Sequence, residues 1–421
     1  MIGLLLPPGD KRIFLAWLLL CLASLAILWS VTEPIRGPYE QPDPGVAKSV
    51  FWRQAAFLLV SWFALLLASR LPLRYLEHSA LPVYLVMVLL LVLVLVAGPH
   101  IGGAQRWLVL GPLRLQPAEP AKVALVLVLA NVLGRSGVGG RSLPATVLSF
   151  LLMLVPMVLV LREPDLGTSL VFVAIWVGMV FWAGMPGLLL VGAASAVLSS
   201  VIMFYSESIA RNPWPWGVYL LLVVGLLFLA RIGVVAKVML LAVNVATGIG
   251  IPVVWDRLQP YQQDRILTFF DPSQDEFGTA YQAIQSKVAI GSGGLFGTHY
   301  LQGTQKGLAF LPERHTDFIF SVVGEELGFF GAVAILFLFA VILLRGIVHA
   351  EAARKPFASF LAVGAVSYFT FHVVVNVAIT TGLLPVTGLP LPLLSYGGSS
   401  LLASSVMLGL LLNVSSRTFD D

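Results

Sequence analysis

The chain has 421 residues, 58% of them hydrophobic and only 11% charged, with a formal net charge of +4. A soluble globule carries about 25% charged residues, so this composition excludes one, and the mean hydropathy of +0.93 places the chain in a bilayer. The small, dispersed positive charge offers no basic face to nucleic acid, and a single cysteine, Cys21, excludes an internal disulfide.

Apolar runs long enough to cross the hydrocarbon as helix predict spans at 13–31, 52–69, 81–98, 119–133, 144–161, 167–183, 187–204, 214–231, 236–254, 318–345, 357–381 and 398–414. The first run follows Lys11 and Arg12, but it is long for a signal-peptide core and lacks a small-residue cleavage site, so it reads as a retained helix. The short alternating segments of a membrane β-barrel are absent. The expected fold is an all-α polytopic membrane protein of about twelve transmembrane helices. Arg70 and Arg74, Arg135 and Arg141, Arg231 and Lys237, and Arg345, Arg354 and Lys355 fall on the side of Lys11 and Arg12. The positive-inside rule makes that side cytoplasmic, with both termini on it. Residues 101–116, 255–317 and 382–394 then face outward; Arg36, Arg106, Arg114 and Arg162 run against the rule.

The stretch 255–317 is a polar island with 12 charged side chains in an otherwise lipid-soluble chain. A connection of that length is functional or disordered, and its interspersed aromatics, Tyr261, Phe269, Phe270, Phe277, Tyr281 and Phe310, argue for order. Residues 281–290 have the pattern of a short amphipathic helix. The stretch Gly291-Ser-Gly-Gly-Leu-Phe-Gly297 resembles a phosphate-cradling loop, but no strand precedes it and no GK[ST] follows, which favours a turn returning along the membrane surface.

Charges near helix ends mark candidate function, because burial in a bilayer is costly. Arg106, Glu119, Lys122, Asp165, Glu325 and Glu326 stand out. Four of the six have a plain structural alternative. Glu119 and Lys122, three apart, form an ion pair on one helical face; Arg106 beside Trp107 is an interfacial anchor; Asp165 caps the helix starting near Gly167. Asp271, Asp275 and Glu276 form an acidic cluster whose alternative is a solvated loop face.

The motifs Gly103-Ala-Gln-Arg-Trp107, Gln116-Pro-Ala-Glu119 with Lys122, Pro164-Asp-Leu-Gly-Thr168, Leu311-Pro-Glu-Arg-His-Thr-Asp-Phe318, Gly324-Glu-Glu-Leu-Gly328, the 382–392 stretch and Ser395-Tyr-Gly-Gly-Ser399 resemble the signatures of the SEDS family across most of the chain. Gly303-Thr-Gln305 and Arg314 resemble its elongation (RodA) type more than its division (FtsW) type. The resemblance implies a glycosyltransferase that polymerises lipid II, the lipid-linked peptidoglycan precursor, at the outer face of the bacterial cytoplasmic membrane. It implies Asp275 as the general base, since Asp275-Glu-Phe-Gly-Thr-Ala-Tyr-Gln282 is similar to the segment holding the family's essential aspartate. Arg106, Lys122 and Arg314 are implied at the departing diphosphate, with a divalent cation, magnesium or manganese, sharing that role. Gln116, Glu119, Asp165, Lys287, His315, Asp317, Ser395 and Ser399 complete the implied substrate-binding set. The implied partners are a class B penicillin-binding protein, the elongation machinery and membrane lipids. The chain departs from the family pattern at Ala118 and Pro120, and again at Glu276 and Ala280. A ten-helix family core leaves residues 187–231 as an inserted helical hairpin and 255–317 as the large extracytoplasmic loop. Two other classes compete with polymerisation: a flippase or transporter for the lipid-linked precursor, and a non-catalytic scaffold for a penicillin-binding protein.

Overall fold

The computed structural model describes residues 6–32, 44–100, 105–111, 113–136, 142–185, 187–209, 211–230, 232–257, 263, 266–269, 279–303 and 315–417. Among them are thirteen helices: α1 Lys11–Thr32, α2 Pro44–Arg70, α3 Leu73–Ala97, α4 Ala118–Gly134, α5 Leu143–Arg162, α6 Leu166–Trp182, α7 Gly187–Phe204, α8 Trp214–Leu229, α9 Val234–Trp255, α10 Thr279–Gly293, α11 Ile319–Ala352, α12 Pro356–Thr380 and α13 Gly398–Arg417. Each of the twelve expected spans is one of these helices, and α10 is the short amphipathic helix expected at 281–290. Eight helices are long and apolar enough to cross a membrane, and three shorter apolar ones accompany them. The chain is a multi-pass helical membrane protein.

The spacing argument missed a small antiparallel hairpin, β1 Leu108–Leu110 with β2 Leu113–Leu115, in register Val109 opposite Arg114. Three-residue strands are too short to show a period, and only the turn at Gly111, whose φ is +64°, marks them.

The chain divides into two compact units, residues 1–184 with 271–421, and residues 185–270. In the larger unit the apolar helices are graded by burial. In α12 and α13, 72% of the spanning window is buried, against 22% for α3; α4 is buried along nearly its whole length. These three form the centre, and lipid-facing helices surround them. Close packing there is backbone on backbone: Gly409 of α13 sits against the Leu65 carbonyl of α2, and Asn413 Nδ2 donates to the Ala68 and Leu71 carbonyls at 2.8 and 2.6 Å.

The helix α11 is broken at Gly328, whose φ of 65° and ψ of −164° are not helical. The backbone groups freed by the break are satisfied by the turn that follows α10. Phe329 and Phe330 donate to the Gly294 and Leu295 carbonyls at 2.9 and 3.2 Å, and Thr298 donates its amide to the Glu325 carbonyl at 2.9 Å. The two backbones meet so closely that a Cβ on Gly293 would overlap the Gly324 carbonyl, and one on Gly297 that of Glu326. The glycine-rich stretch 291–297 is therefore a packing seam built from two small-xxx-small pairs, Gly293/Gly297 and Gly324/Gly328, and the resemblance to a phosphate loop ends there.

The stretch 382–394 was expected as an outward segment; with the residues up to 397 it is irregular backbone packed into the helices, Leu389, Leu391, Leu393 and Leu394 being buried. Pro385, Pro390 and Pro392 block a helix, and non-helical backbone survives in a membrane protein only where protein satisfies it. Asn376 Nδ2 donates to the Leu389 carbonyl, Ser24 Oγ to that of Leu394, and Gln54 Nε2 to that of Ser395.

In the smaller unit, α7, α8 and α9 share a buried polar network. Asn244 Nδ2 donates to Ser195 Oγ, Tyr219 Oη to Asn244 Oδ1, Ser199 Oγ to the Asn244 carbonyl and Trp216 Nε1 to Ser199 Oγ. The helices of the expected 187–231 hairpin are α7 and α8, and α9 completes their unit.

Candidate active site

At one end of the larger unit, described residues at the edges of the segments expected to face outward meet. Gln116 donates its amide to Ser399 Oγ at 3.2 Å, joining the start of α4 to the start of α13. Ser395 Oγ donates to the Thr316 carbonyl at 2.7 Å, Tyr396 donates its amide to the His315 carbonyl at 2.8 Å, and Asn376 Nδ2 donates to the Asp317 carbonyl at 2.8 Å. Gln116, Ser395 and Ser399 thus frame the site through backbone bonds, as do the carbonyls of His315 and Asp317.

Beneath this frame, Lys122 on the second turn of α4 is fully enclosed. Its Nζ donates to Glu119 Oε1 at 2.7 Å, lies 3.4 Å from His372 Nε2 and sits 5.7 Å from the Tyr368 ring centroid. His372 Nδ1 faces the Pro390 carbonyl at 3.2 Å, which puts the proton on Nδ1 and leaves the Nε2 lone pair to the ammonium. Tyr368 Oη bonds Ser404 Oγ at 2.8 Å. Glu119 Oε2, buried, has no hydrogen-bond partner among the described residues. The expected i,i+3 pair is real. It is one half of a buried polar centre drawn from three helices, α4, α12 and α13.

The second cluster surrounds Arg106. Its Nε donates to the Glu163 carbonyl at 3.2 Å, a second guanidinium nitrogen donates to the Pro164 carbonyl, and Asp165 Oδ2 lies 3.7 Å from Nε. The Arg106 side chain remains 31% exposed, against 7% for Asp165. Asp165 also caps α6, accepting from the Thr168 amide at 3.1 Å. Gly167 in the same turn leaves room for the Thr387 carbonyl, so the 382–397 stretch touches both clusters. Glu163, which motif reading passed over, is buried, and neither carboxyl oxygen has a partner among the described residues. Burial first, then the neighbouring Asp165, pushes its carboxyl up to about 8 against the pull of Arg106. The signal available in the sequence was an acid directly between Arg162 and the Pro-Asp-Leu-Gly-Thr motif.

Lys287 is exposed on α10, its stem against Gly382. The face beneath it docks α10, where Ser286 Oγ bonds Ser321 Oγ and the Thr380 carbonyl at 2.6 Å each. Glu325 and Glu326 are buried, and Ser30 Oγ donates to Glu326 Oε1 at 2.5 Å. Asp275 and Arg314, with Asp271 and Glu276, lie outside the described residues. Among the described residues no three His, Cys, Asp or Glu side chains gather as a donor set for a metal.

A family model described as cell cycle protein, covering FtsW, RodA and SpoVE, matches residues 11–214 and 216–419. The chain belongs to this family. It is 33% identical over 406 residues to the peptidoglycan glycosyltransferase MrdB of Escherichia coli K12, covering 96% of this chain and 93% of that one. It is 35% identical over 409 residues to a probable peptidoglycan glycosyltransferase FtsW of Halomonas elongata, covering 96% and 90%. Among solved structures it is similar, at a TM-score of 0.65, 31% identity and coverage of 98% and 99%, to a chain from a peptidoglycan synthase complex that coordinates polymerization and crosslinking.

Proposed function

We propose that this chain is a peptidoglycan glycosyltransferase of the elongation type, which polymerises lipid II into glycan strands at the outer face of the bacterial cytoplasmic membrane, with both termini cytoplasmic. Family membership supports the reading, as do the relatives' names. The observation that carries it is the Arg106 cluster, a guanidinium tethered by two carbonyls and still partly open to solvent.

In this reaction a hydroxyl oxygen of the acceptor sugar bonds to C1 of the donor sugar as the bond from C1 to the diphosphate oxygen breaks. The electron pair leaves with the diphosphate, and the hydroxyl proton passes to a base. Diphosphate leaves without protonation, so the site needs one base and a fixed cation rather than an acid–base pair. Asp275 is the proposed base. Arg106 is pre-organised for the developing charge, so little reorganisation accompanies its contact with the diphosphate. Glu163 sharpens this: with its carboxyl pushed up to about 8, it is neutral near pH 7 and leaves the arginine's charge less compensated. Lys122 and Arg314 belong to the proposed cationic set, Lys122 in its enclosed position beside Glu119. A divalent cation, magnesium or manganese, is proposed to screen the diphosphate; the described residues build no donor set for it, so no step is assigned to it, and chelation of the purified enzyme tests it. A class B penicillin-binding protein is the proposed crosslinking partner, tested by co-purification from the native membrane in mild detergent.

Purified chain supplied with lipid II, with and without that partner, is expected to make glycan polymer. Asp275→Asn and Arg106→Ala are each expected to slow it by about 10²-fold or more, while Asp256→Asn, an exposed aspartate, leaves the rate unchanged. No polymer from the wild-type chain in either condition, with precursor translocation intact, would replace this reading by the flippase one.

A further inference from the structure

Between Thr387 and Gly397 the chain runs without helical structure through the larger unit, and it touches three parts of the candidate site. The Thr387 carbonyl and the Leu389 side chain pack on Gly167, in the turn where Asp165 lies beside Arg106. The Pro390 carbonyl faces His372 Nδ1 at 3.2 Å, and the other nitrogen of that ring lies 3.4 Å from Lys122 Nζ. Ser395 Oγ and the Tyr396 amide donate to the Thr316 and His315 carbonyls at 2.7 and 2.8 Å. A shift of this one stretch therefore reaches all three places.

Two buried side-chain amides hold it in place. Asn376, one turn beyond His372 on α12, donates from Nδ2 to the Leu389 carbonyl and to the Asp317 carbonyl, at 2.8 Å each. Gln54 on α2 donates from Nε2 to the Ser395 carbonyl at 3.2 Å and accepts from the Gly397 amide at 3.3 Å, so it brackets Tyr396 as a paired strand would. Irregular backbone in a membrane protein needs such donors, but a hydroxyl bound to one carbonyl meets that need. A planar amide bound to two backbone groups does more, because it fixes the distance between them. Through Asn376 that distance is the one between the 315–317 segment and the stretch that packs on Gly167. The carbonyls of His315, Thr316 and Asp317 are thus all bound, while the three residues stay half-buried.

We propose that Asn376 and Gln54 are positioning residues for polymerisation: they set the depth of the 387–397 stretch, and through it the place of the Arg106 turn and of the 315–317 segment. Neither amide touches the reacting atoms in this account; each acts through the backbone it holds. The proposal rests on the reading of Arg106 given above. Its leverage comes from the sensitivity of group transfer to geometry, where a misplacement of about 1 Å costs on the order of 10²-fold in rate, and from the need of a charged side chain for a supporting shell that keeps it in place.

The test uses the full chain in nanodiscs and has two arms. In hydrogen exchange, Asn376→Ala is expected to speed exchange at 163–169 and 315–318 and to leave 187–255 unchanged, since α7, α8 and α9 belong to the other unit. Unchanged exchange at 163–169 and 315–318, or an equal rise in every segment, overturns the proposal. In polymerisation of lipid II, Asn376→Ala is expected to lower kcat by about 10²-fold. The same substitution made in an Arg106→Ala chain is expected to cost at least about threefold less, because its effect passes partly through the arginine already removed. An equal loss in both backgrounds is what a merely structural amide gives, and it too overturns the proposal. Should Asn376→Ala not fold, Gln54→Met removes the other amide and nearly keeps its volume; it is expected to speed exchange at 315–318 and to lower kcat with the thermal midpoint little changed. Wild-type kcat in Gln54→Met sinks the idea. A wild-type chain that makes no polymer removes the proposed function, while the exchange arm still decides whether the two amides hold these segments.

Discussion

A buried charge is tolerable only while its partner remains, so Glu119 and Lys122 form a single energetic unit. Lys122→Met leaves the Glu119 carboxylate stranded in a fully enclosed site and is expected to cost about 3–5 kcal/mol in chemical denaturation. The Glu119→Gln/Lys122→Met double variant removes both charges and is expected to recover most of that loss. Its activity then separates two roles: a folded double variant without polymerisation assigns Lys122 to the chemistry, and near-normal polymer makes the pair structural. Glu163 carries a different signature. Its carboxyl titrates near 8 in the fold against 4.5 in the unfolded chain, so the folded state holds the extra proton between those values. Stability is therefore expected to fall as pH rises from about 4.5 to 8, by at most about 1.4 kcal/mol per pH unit, and to level off above. Thermal midpoints across that range check this, and Glu163→Gln should flatten the slope while keeping wild-type stability at pH 5.

At the scale of elements, the break in α11 and the turn after α10 depend on each other. Gly328 has a φ of +65°, and a Cβ there would overlap the backbone at Gly297 and Leu295. Gly328→Ala is expected to lose about 2–5 kcal/mol, adding left-handed strain to overpacking. Gly294 also has positive φ, +53°, but has open space around its missing Cβ, so Gly294→Ala should lose only about 1–2 kcal/mol. Equal losses for the two, measured by denaturation in detergent, would remove the seam as the reason for the glycines. This seam was not legible from the motif alone. A glycine-rich stretch suits a phosphate or a second backbone equally well, and the second backbone comes from residues some thirty positions later.

At the scale of the whole molecule, three of the segments grouped by charge, those that carry Lys11 with Arg12, Arg70 with Arg74, and Arg345, meet within the larger unit. Asp10 binds Arg345, Arg70 donates to the Leu6 carbonyl, and Arg417 donates to that of Leu71, while the motif-bearing segments gather at the other end. Arg106 and Arg162 break the charge rule, and Arg106 at least is held there by the carbonyls of Glu163 and Pro164. The α7–α9 unit allows a separate check of sidedness. Cys21 is buried, which keeps the background of thiol labelling low. A cysteine placed at Arg211 is expected to label from outside the cell and one at Lys237 from inside. Labelling of both from one side would mean that α8 does not cross and the twelve-helix count must be redrawn.

Hydrophobic run length, charge placement and local spacing are properties of neighbours in the chain, and they determined the twelve helices, the short helix within the island, the Asp165 cap and the Glu119–Lys122 pair. What only tertiary structure decided are the meetings between distant segments. His372, Tyr368 and Ser404 close around Lys122 from helices more than two hundred residues away, Glu163 becomes a buried carboxyl only because α5 and α6 turn it inward, and the 382–397 stretch is drawn in among helices that satisfy its backbone. No local pattern encodes these, because burial and desolvation depend on what the rest of the chain places around a residue, and that is set by packing rather than by position.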